Sequence, residues 1–441
     1  MGAGESGTGA AVLGAAQNWD VFVSDYGKIA PKYQDELNLH NIAWEQEKHT
    51  EEKILNADCI IKSPGIPDKA PIVKSAKAQG IEIIDELEFA YRYTTAKMIG
   101  ITGTNGKTTT TLLTYHLLKQ AGLNVGLAGN IGRSLARQVA QQSYDIYVVE
   151  ISSFQLDYLD KFTCEIAILC NITPDHLDRY NYRIENYADS KMRIARNQTP
   201  EQHFIYCADN ELTLEAMARN PFAGRPVPFS LTQTCTEGAY VQGSQIHIHS
   251  KEKFTLDMQE FTLRGQHNAY NSMAASIAAS LMDVRKESIR ESFGNFQNAE
   301  HRLEFVQKVG GVDYINDSKA TNYDAAEVAL RGLDAITDIV RDVELVLGTL
   351  RELLVSDPPT PTVAIDLLLQ LLDALSAVHD AGWVHRDVKP GNLLLERRPG
   401  GGWHLRLGDF GIACRTGTPV ARAEAPGTPD RKSTRLNSSH T

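Results

Sequence analysis

The 441-residue chain has no run of about 18 apolar residues, so a membrane-spanning helix is not expected. Its start shows no basic segment followed by an apolar one, so no secretory signal is expected either. Positive charge is in deficit: 44 Lys and Arg face 55 Asp and Glu, a net charge of −11, which argues against broad nucleic-acid binding. The six cysteines are widely spaced and include no C-x-x-C pair. That pattern fits reduced thiols in a cytoplasmic protein better than a disulfide framework or a zinc site. Hydrophobic residues make up 42% and charged residues 22%, ordinary for a globular protein, and the length accommodates two to four domains.

The composition changes part-way along. Residues 1–333 hold 18 Lys and 14 Arg, whereas 334–441 hold 2 Lys and 10 Arg. All 16 Tyr precede position 324, and Asn falls from 19 to 2 across the same boundary. Lys, Asn and Tyr have AT-rich codons, and Arg has GC-rich ones. The break predicts that two unrelated coding stretches meet within about 325–345; an ordinary domain boundary is the alternative.

Before the break, short β-like runs alternate with helical ones. Strands are expected at Val21–Ser24, Cys59–Lys62, Ala96–Thr102, Tyr147–Val149 and Ile166–Leu169. Helices are expected at Ala70–Gln79, Lys107–Ala121, Ile184–Asn197, His267–Met282 and Lys286–Phe293. This alternation predicts an α/β fold with parallel sheets. After Leu333 the pattern reads as mostly helical, with a break at Pro358–Pro361 and a loop at Gly400–Gly402. Disorder is expected from Arg415 onward.

Thr102-Gly103-Thr104-Asn105-Gly106-Lys107-Thr108-Thr109 carries the strongest chemical signal. Gly103 and Gly106 allow backbone N–H groups to turn inward around an anion. Lys107 is placed to reach terminal phosphates, and Thr108 to ligate Mg2+. The leading position of the usual G-x-x-x-x-G-K-[ST] pattern holds Ile101 instead of glycine. Glu150 ends an apolar strand and is a candidate metal ligand, or a solvated loop acid. His176, in Asn171–Asp178 after the next strand, could ligate metal or lie on the surface. Lys191 has basic neighbours, Arg193 and Arg196, and reads as part of a solvated face. His247 and His249 read as surface residues. Gly2–Gly7 fits G-x-G-x-x-G, though Met1 stands where the preceding strand belongs; Asp25 lies where a ribose-contacting acid would fall.

Together the segments resemble the Mur ligase family of peptidoglycan synthesis. The resemblance covers about residues 1–333. It rests on GAGESG (Gly2–Gly7), KSPGIP (Lys62–Pro67), TGTNGKTT (Thr102–Thr109), GNIG (Gly129–Gly132), EISSFQL (Glu150–Leu156), NITPDHLDRY (Asn171–Tyr180), GQHNAYN (Gly265–Asn271), EHRLEFV (Glu300–Val306) and NDSKATN (Asn316–Asn322). The SSFQLD segment resembles the D-glutamate-adding branch.

The resemblance implies a ligase that uses ATP to phosphorylate the carboxylate of UDP-MurNAc-L-alanine, then lets the amine of D-glutamate attack the acyl phosphate. It implies two Mg2+ ions, no nucleic-acid or membrane partner, and a monomer. Gly103–Thr109, Asn268, Asn271, Arg302 and Asp317 match ATP contacts. Thr108 and Glu150 match holders of one Mg2+; His176 and a carbamylated Lys191 match holders of the second. Gly4, Ser6, Asp25, Ser63 and Gly65 match the uridine-nucleotide side, Asn130 a position near the sugar and carboxylate, and Lys319 and Thr321 positions near the incoming amino acid.

The implied organisation is a Rossmann-like UDP-substrate-binding domain over 1–93 without its first strand, a P-loop central domain over 94–298, and the start of a truncated third domain over 299–333. D-glutamate recognition depends on that third domain, so weak activity is expected. From about 343 the sequence resembles a different family, bacterial Ser/Thr protein kinases. His385–Asn392 matches the catalytic loop, with Asp387, Lys389 and Asn392, and Asp409-Phe410-Gly411 matches the metal-binding triplet. A partial, mostly helical kinase C-lobe is therefore expected over 334–414, without the Gly-rich loop. The tail, 415–441, resembles the translation of a sequencing adapter from Asp430 on, making the chain a chimera.

Overall fold

In the computed structural model the described residues are 1–296 apart from Arg264, then 304–309, 312–316, 346–349, 383–384, 393–397, 403–407, 414–415 and positions within 363–372. The chain divides into two compact units, Met1–Ile315 with Lys319–Ala335, and Asn316–Ser318 with Ile336–Thr441.

The first unit opens with α1 (Glu5–Ala16), β1 (Phe22–Ser24), α2 (Pro31–Leu39), β2 (Ala43–Glu45), α3 (Glu51–Ile54), β3 (Cys59–Ile61), α4 (Pro71–Ala78), β4 (Glu82–Ile84) and α5 (Glu86–Tyr91). β1 pairs with β2, and β3 with β4, both in parallel. Pro31 and Pro71 start their helices, where a missing N–H costs nothing and φ is already set. Asp85 caps α5 by accepting from the Leu87 N–H at 3.0 Å.

The chain then builds β5 (Lys97–Thr102), α6 (Lys107–Gln120), β6 (Val125–Gly129), α7 (Leu135–Gln141), β7 (Ile146–Glu150), α8 (Ser153–Leu156), β8 (Ile166–Leu169), α9 (Ile184–Met192), β9 (His203–Cys207), α10 (Glu211–Arg219), β10 (Arg225–Ser230), β11 (Gly238–Gln242), β12 (Gln245–His249), β13 (Lys253–Asp257), α11 (Gln266–Leu281) and α12 (Lys286–Phe293). One sheet runs β13-β12-β11-β10-β9-β8-β5-β7-β6. Its strands from β6 to β11 pair in parallel; β12 and β13 add antiparallel ones. Alternate residues of β5 face opposite cores. Ile99 and Ile101 pack with Leu113 and Leu117 of α6 and Met273 of α11. Met98 packs in a second cluster with Leu13, Leu87, Leu135 and Tyr187. After β5 the chain first builds to one side, then crosses to β8. The C-terminal end of β5 is thus a switch point, where an open α/β sheet leaves a crevice.

α6 begins Lys-Thr-Thr-Thr-Thr, with all four threonines buried. Thr111 Oγ1 donates to the Lys107 carbonyl at 2.8 Å, and Thr114 Oγ1 to the Thr110 carbonyl at 2.7 Å. The expected strands and helices of residues 1–296 are present, with ends shifted by a few residues. The helix expected over 184–197 stops at Met192 and gives way to a 3-10 turn, Arg193–Ala195. There Arg193 folds back, Nε to the Leu156 carbonyl at 2.8 Å and Nη2 to that of Leu159 at 2.9 Å.

Beyond 296, β14 (Glu304–Val309) pairs with β15 (Val312–Asn316). In the second unit β16 (Val346–Thr349), β18 (Leu393–Arg397) and β19 (Trp403–Leu407) form an antiparallel sheet, and β17 (Trp383–Val384) pairs with β20 (Cys414–Arg415). Leu367, Leu393, Leu395 and Leu405 bury against one another. The helices expected over 334–414 lie outside the described residues, except for helical positions within 363–372. Asp387, Lys389, Asn392, Asp409 and the tail beyond Arg415 also lie outside them. Among the described residues no helix is long and apolar enough to cross a membrane.

Candidate functional site: a phosphate loop and its flanking carboxylate

The loop between β5 and α6 is held open from outside itself. Asn171, just past β8, accepts the Asn105 N–H on its side-chain oxygen at 2.9 Å and donates Nδ2 to the Asn105 carbonyl at 3.1 Å. The Thr104 N–H donates to the Asn171 carbonyl at 2.9 Å, and Thr104 Oγ1 accepts the Thr173 N–H at 3.0 Å. Tyr187 Oη lies 3.3 Å from Thr104 Oγ1. These bonds tie the loop to the segment after β8 at the start of α6. Gly106 has φ +82°, and a Cβ there would meet Asn271 Oδ1 at 2.5 Å. Conformation and space both require glycine.

Two lysines converge on this loop. Lys107 Nζ donates to the carbonyls of Gly103 and Thr104 at 2.8 and 2.7 Å. Lys191 Nζ donates to the same Gly103 carbonyl at 2.7 Å. Lys191 is 1% exposed, which corrects its reading as part of a solvated face: α9 turns it inward while Arg193 and Arg196 reach the opposite loop. Burial, and then the nearby Lys107 ammonium, hold the Lys191 pKa well below the usual lysine range.

Glu150 is 1% exposed at the end of β7. Asn130 Nδ2 donates to its Oε1 at 2.9 Å, and the Asn130 N–H donates to its backbone carbonyl at 2.9 Å. Oε2 is buried without a hydrogen-bond partner. A buried, half-satisfied carboxylate facing a phosphate loop fits a hard cation such as Mg2+, and Thr108 in the first turn of α6 supplies a hydroxyl of the right kind. His176 is less committed. It sits at φ +51°, 56% exposed on its side chain, with its ring 5.3 Å from that of Phe154. Among the described residues, no three His, Cys, Asp or Glu side chains gather into a metal-holding group.

The head of α11 closes the other side. Thr110 Oγ1 donates to Asn271 Oδ1 at 3.1 Å, and Asn271 Nδ2 donates to Asn268 Oδ1 at 3.1 Å. Both asparagines thus join the phosphate loop. Arg302, Asp317, Lys319 and Thr321 lie outside the described residues.

The residues expected to face the uridine nucleotide gather at the start of α1. Gly4 is its N-cap, and Ser6 lies half-buried in its first turn. Asp25 accepts the Ala3 N–H at 2.7 Å and the Gly27 N–H at 2.7 Å. Ser63 packs beside Gly2, and Gly65 is exposed. Glu5 joins this end to the central domain, taking the Ser134 N–H at 3.1 Å and Arg137 Nε at 2.9 Å. Asn171, Thr173, Tyr187 and Glu5 shape the site without having been singled out in the sequence. An asparagine immediately after an apolar strand was the available signal for Asn171.

A glycine-turned loop after a central parallel strand, with a lysine and a buried carboxylate, marks the crevice of this α/β fold, and this chain belongs to the Mur ligase family. The family profile described as Mur ligase middle domain matches residues 101–279, and that described as Mur ligase MurD-like, N-terminal domain matches 1–85. The chain is 51% identical over 338 residues to the UDP-N-acetylmuramoylalanine--D-glutamate ligase of Christiangramia forsetii, 76% of each chain. It is 52% identical over 336 residues to the ligase of that name from Porphyromonas gingivalis, 76% of this chain and 75% of that one. The UDP-N-acetylmuramate-alanine ligase structure from Thermotoga maritima shares the fold, with a TM-score of 0.50, 18% identity and 75% of each chain covered. Residues 339–433 match the protein kinase domain profile.

Proposed function

We propose that residues 1–333 bind ATP with Mg2+ and join D-glutamate to UDP-MurNAc-L-alanine through an acyl phosphate, in the cytoplasm and as a monomer. The observation that carries this reading is the convergence of Lys107 and Lys191 on the Gly103 carbonyl beside Glu150. It is a place built for phosphoryl charge next to a place built for a cation.

A carboxylate is a poor acyl donor because oxide is a bad leaving group. In the proposed reaction the substrate carboxylate attacks the γ-phosphorus and the bond to ADP breaks. The D-glutamate amine then attacks the acyl carbon, and phosphate leaves. Negative charge builds on phosphoryl oxygens, so fixed cations and N–H donors lower the barrier. Lys107 exchanges its loop carbonyls for phosphate oxygens. Asn130 aims the Glu150 carboxylate. Mg2+, when bound, neutralises phosphate charge; Thr108 and Glu150 would hold one ion, and His176 with carbamylated Lys191 the second. A buried, uncharged Lys191 amine is the form that adds CO2, releasing a proton and becoming an anionic oxygen ligand. Asn268, Asn271, Arg302 and Asp317 would contact ATP. Gly4, Ser6, Asp25, Ser63 and Gly65 would contact the uridine nucleotide, with Lys319 and Thr321 near D-glutamate.

Phosphate release tests the proposal. Release stimulated by UDP-MurNAc-L-alanine plus D-glutamate, with the amide product detected by mass spectrometry, supports it. No stimulation by the nucleotide substrate overturns it. Turnover is expected to be weak, because only the opening of the third domain, 299–333, is carried.

The match over 339–433 favours a second reading for that segment, a protein kinase fragment. Phosphorylation of Ser/Thr peptides that is lost in Asp387→Asn would establish it.

A further inference from the structure

The turn that carries His176 is strained, and the side chain of Arg179 ties it to the first domain. His176, Asn181 and Tyr182 have φ of +51°, +56° and +57°, a region that residues other than glycine enter at a cost. Tyr182 is 78% exposed, so packing of its ring does not hold the turn. Strain of this kind persists only where neighbouring contacts over-determine it. Asp175 supplies one such contact, its carboxylate accepting the His176 N–H at 2.9 Å. Arg179 supplies others. Its N–H donates to the His176 carbonyl at 3.0 Å, closing the 3-10 turn Leu177–Arg179.

The Arg179 guanidinium works in two directions, as a planar donor can. It lies over the Phe154 ring, 4.2 Å from the centroid, and that ring stands 5.3 Å from the His176 imidazole. Its Nη1 donates to the Pro64 carbonyl at 3.3 Å, in the loop of the first domain. Pro64 lies between Ser63 and Gly65. Both ends of that loop are anchored. The Lys62 ammonium donates to the Ile66 carbonyl at 2.8 Å and lies 4.3 Å from the centroid of the Tyr158 ring, and Tyr158 Oη donates to Asp68. The tip is open: Gly65 is exposed, and a Cβ there would meet nothing within 4 Å. The tip is thus the part of the loop that a ligand can still order.

We propose that Arg179 is a positioning residue that couples the Ser63–Gly65 loop to His176, so that a uridine nucleotide on the loop fixes the His176 ring. The proposal rests on the reading of Ser63 and Gly65 as nucleotide contacts. The nucleotide fixes the Pro64 carbonyl, the carbonyl holds the guanidinium on Phe154, and the turn then holds His176. By linkage, a ligand of His176 tightens the nucleotide by the same factor.

The test titrates the full chain, labelled with 13C at histidine Cε1, with UDP-N-acetylglucosamine in the absence of ATP and metal. The blocked diphosphate of this probe offers no terminal phosphate to the loop at Gly103–Thr109, and the probe carries no carboxylate to reach His176 directly. Calorimetry reports binding. NMR reports the His176 resonance, identified by its absence from His176→Gln. The resonance should shift with the same saturation as the heat. In Arg179→Ala, nucleotide binding should weaken by about fivefold, the low end of such couplings, and the resonance should stop following it. Phe154→Leu should uncouple the two in the same way, through the other contact of the guanidinium. A resonance that stays put while nucleotide binds, or that follows binding equally in either variant, overturns the proposal alone. No saturable heat overturns the nucleotide reading and the proposal with it.

Discussion

Lys107 and Lys191 share one acceptor, the carbonyl oxygen of Gly103, at 2.8 and 2.7 Å. Burial, and then the neighbouring Lys107 ammonium, make the Lys191 proton easier to lose than that of an ordinary lysine. Under the proposed function, Lys107 would serve the phosphate and Lys191 the carbamate. Lys107→Ala is expected to cut ATP turnover by at least about 10²-fold. Lys107→Arg should not rescue it, since a planar fork does not replace a point charge at a tight loop. Phosphate release under saturating ATP decides the matter; activity near that of the unsubstituted chain would remove the loop from the mechanism.

Lys191 should react with CO2 more readily than a surface lysine, because burial, and then the Lys107 ammonium, favour its uncharged amine. Incubation with 13C-bicarbonate is expected to give one carbamate resonance by NMR that is missing from Lys191→Ala. An identical spectrum for the two proteins contradicts the assignment.

Glu150→Gln is expected to uncouple stability from activity. Its Oε2 has no partner, so removing the buried charge leaves the thermal midpoint unchanged or higher. ATP turnover should fall by at least about 10²-fold, and Mg2+ should no longer improve nucleotide binding. Asn130→Ala leaves the carboxylate without its donor and should cost about 1–3 kcal/mol in a urea melt.

Gly106→Ala places a Cβ 2.5 Å from Asn271 Oδ1 at φ +82°. The backbone alone costs about 1–2 kcal/mol. Weaker binding of a non-hydrolysable ATP analogue should accompany that loss. Asn271→Ala in the same chain should relieve the contact and recover part of the stability.

Glu86 and Asp85 tie stability to pH. Burial raises their pKa values to about 7 and about 8. In the unfolded chain both ionise near pH 4, so their contribution is full below that point and lost as pH rises through 7 to 8. Glu86 accepts from Ser134 Oγ at 2.7 Å and from the Ala136 N–H, bonds that a Gln oxygen can also accept. The midpoint of Glu86→Gln relative to the unsubstituted chain should therefore climb by several degrees between pH 5 and pH 8. A flat difference across that range removes the assignment.

The loop at Thr102–Thr109 and the acid at Glu150 were legible because both signals are local: a strand, a turn residue and a charged group within a few positions. Lys191 was legible only through the family resemblance, not from its own surroundings. Its meaning depends on the Gly103 carbonyl, 88 positions earlier in the chain, and its basic neighbours suggested solvent. Asn171 was quoted within a motif, but its grip on Asn105 depends on β8 lying beside β5. The antiparallel end of the sheet also escaped notice, since β12 and β13 follow no crossover helix.

The threonine run of α6 has a consequence for how this site comes into being. Four β-branched residues in the first turns make a weak autonomous helix, and their hydroxyls compete for its carbonyls. An excised peptide spanning 97–121 should be mostly coil by circular dichroism and should not retain nucleotide. The proposed nucleotide site would therefore be a collective product of tertiary packing, complete only where α11 and the sheet close around a helix that could not stand alone.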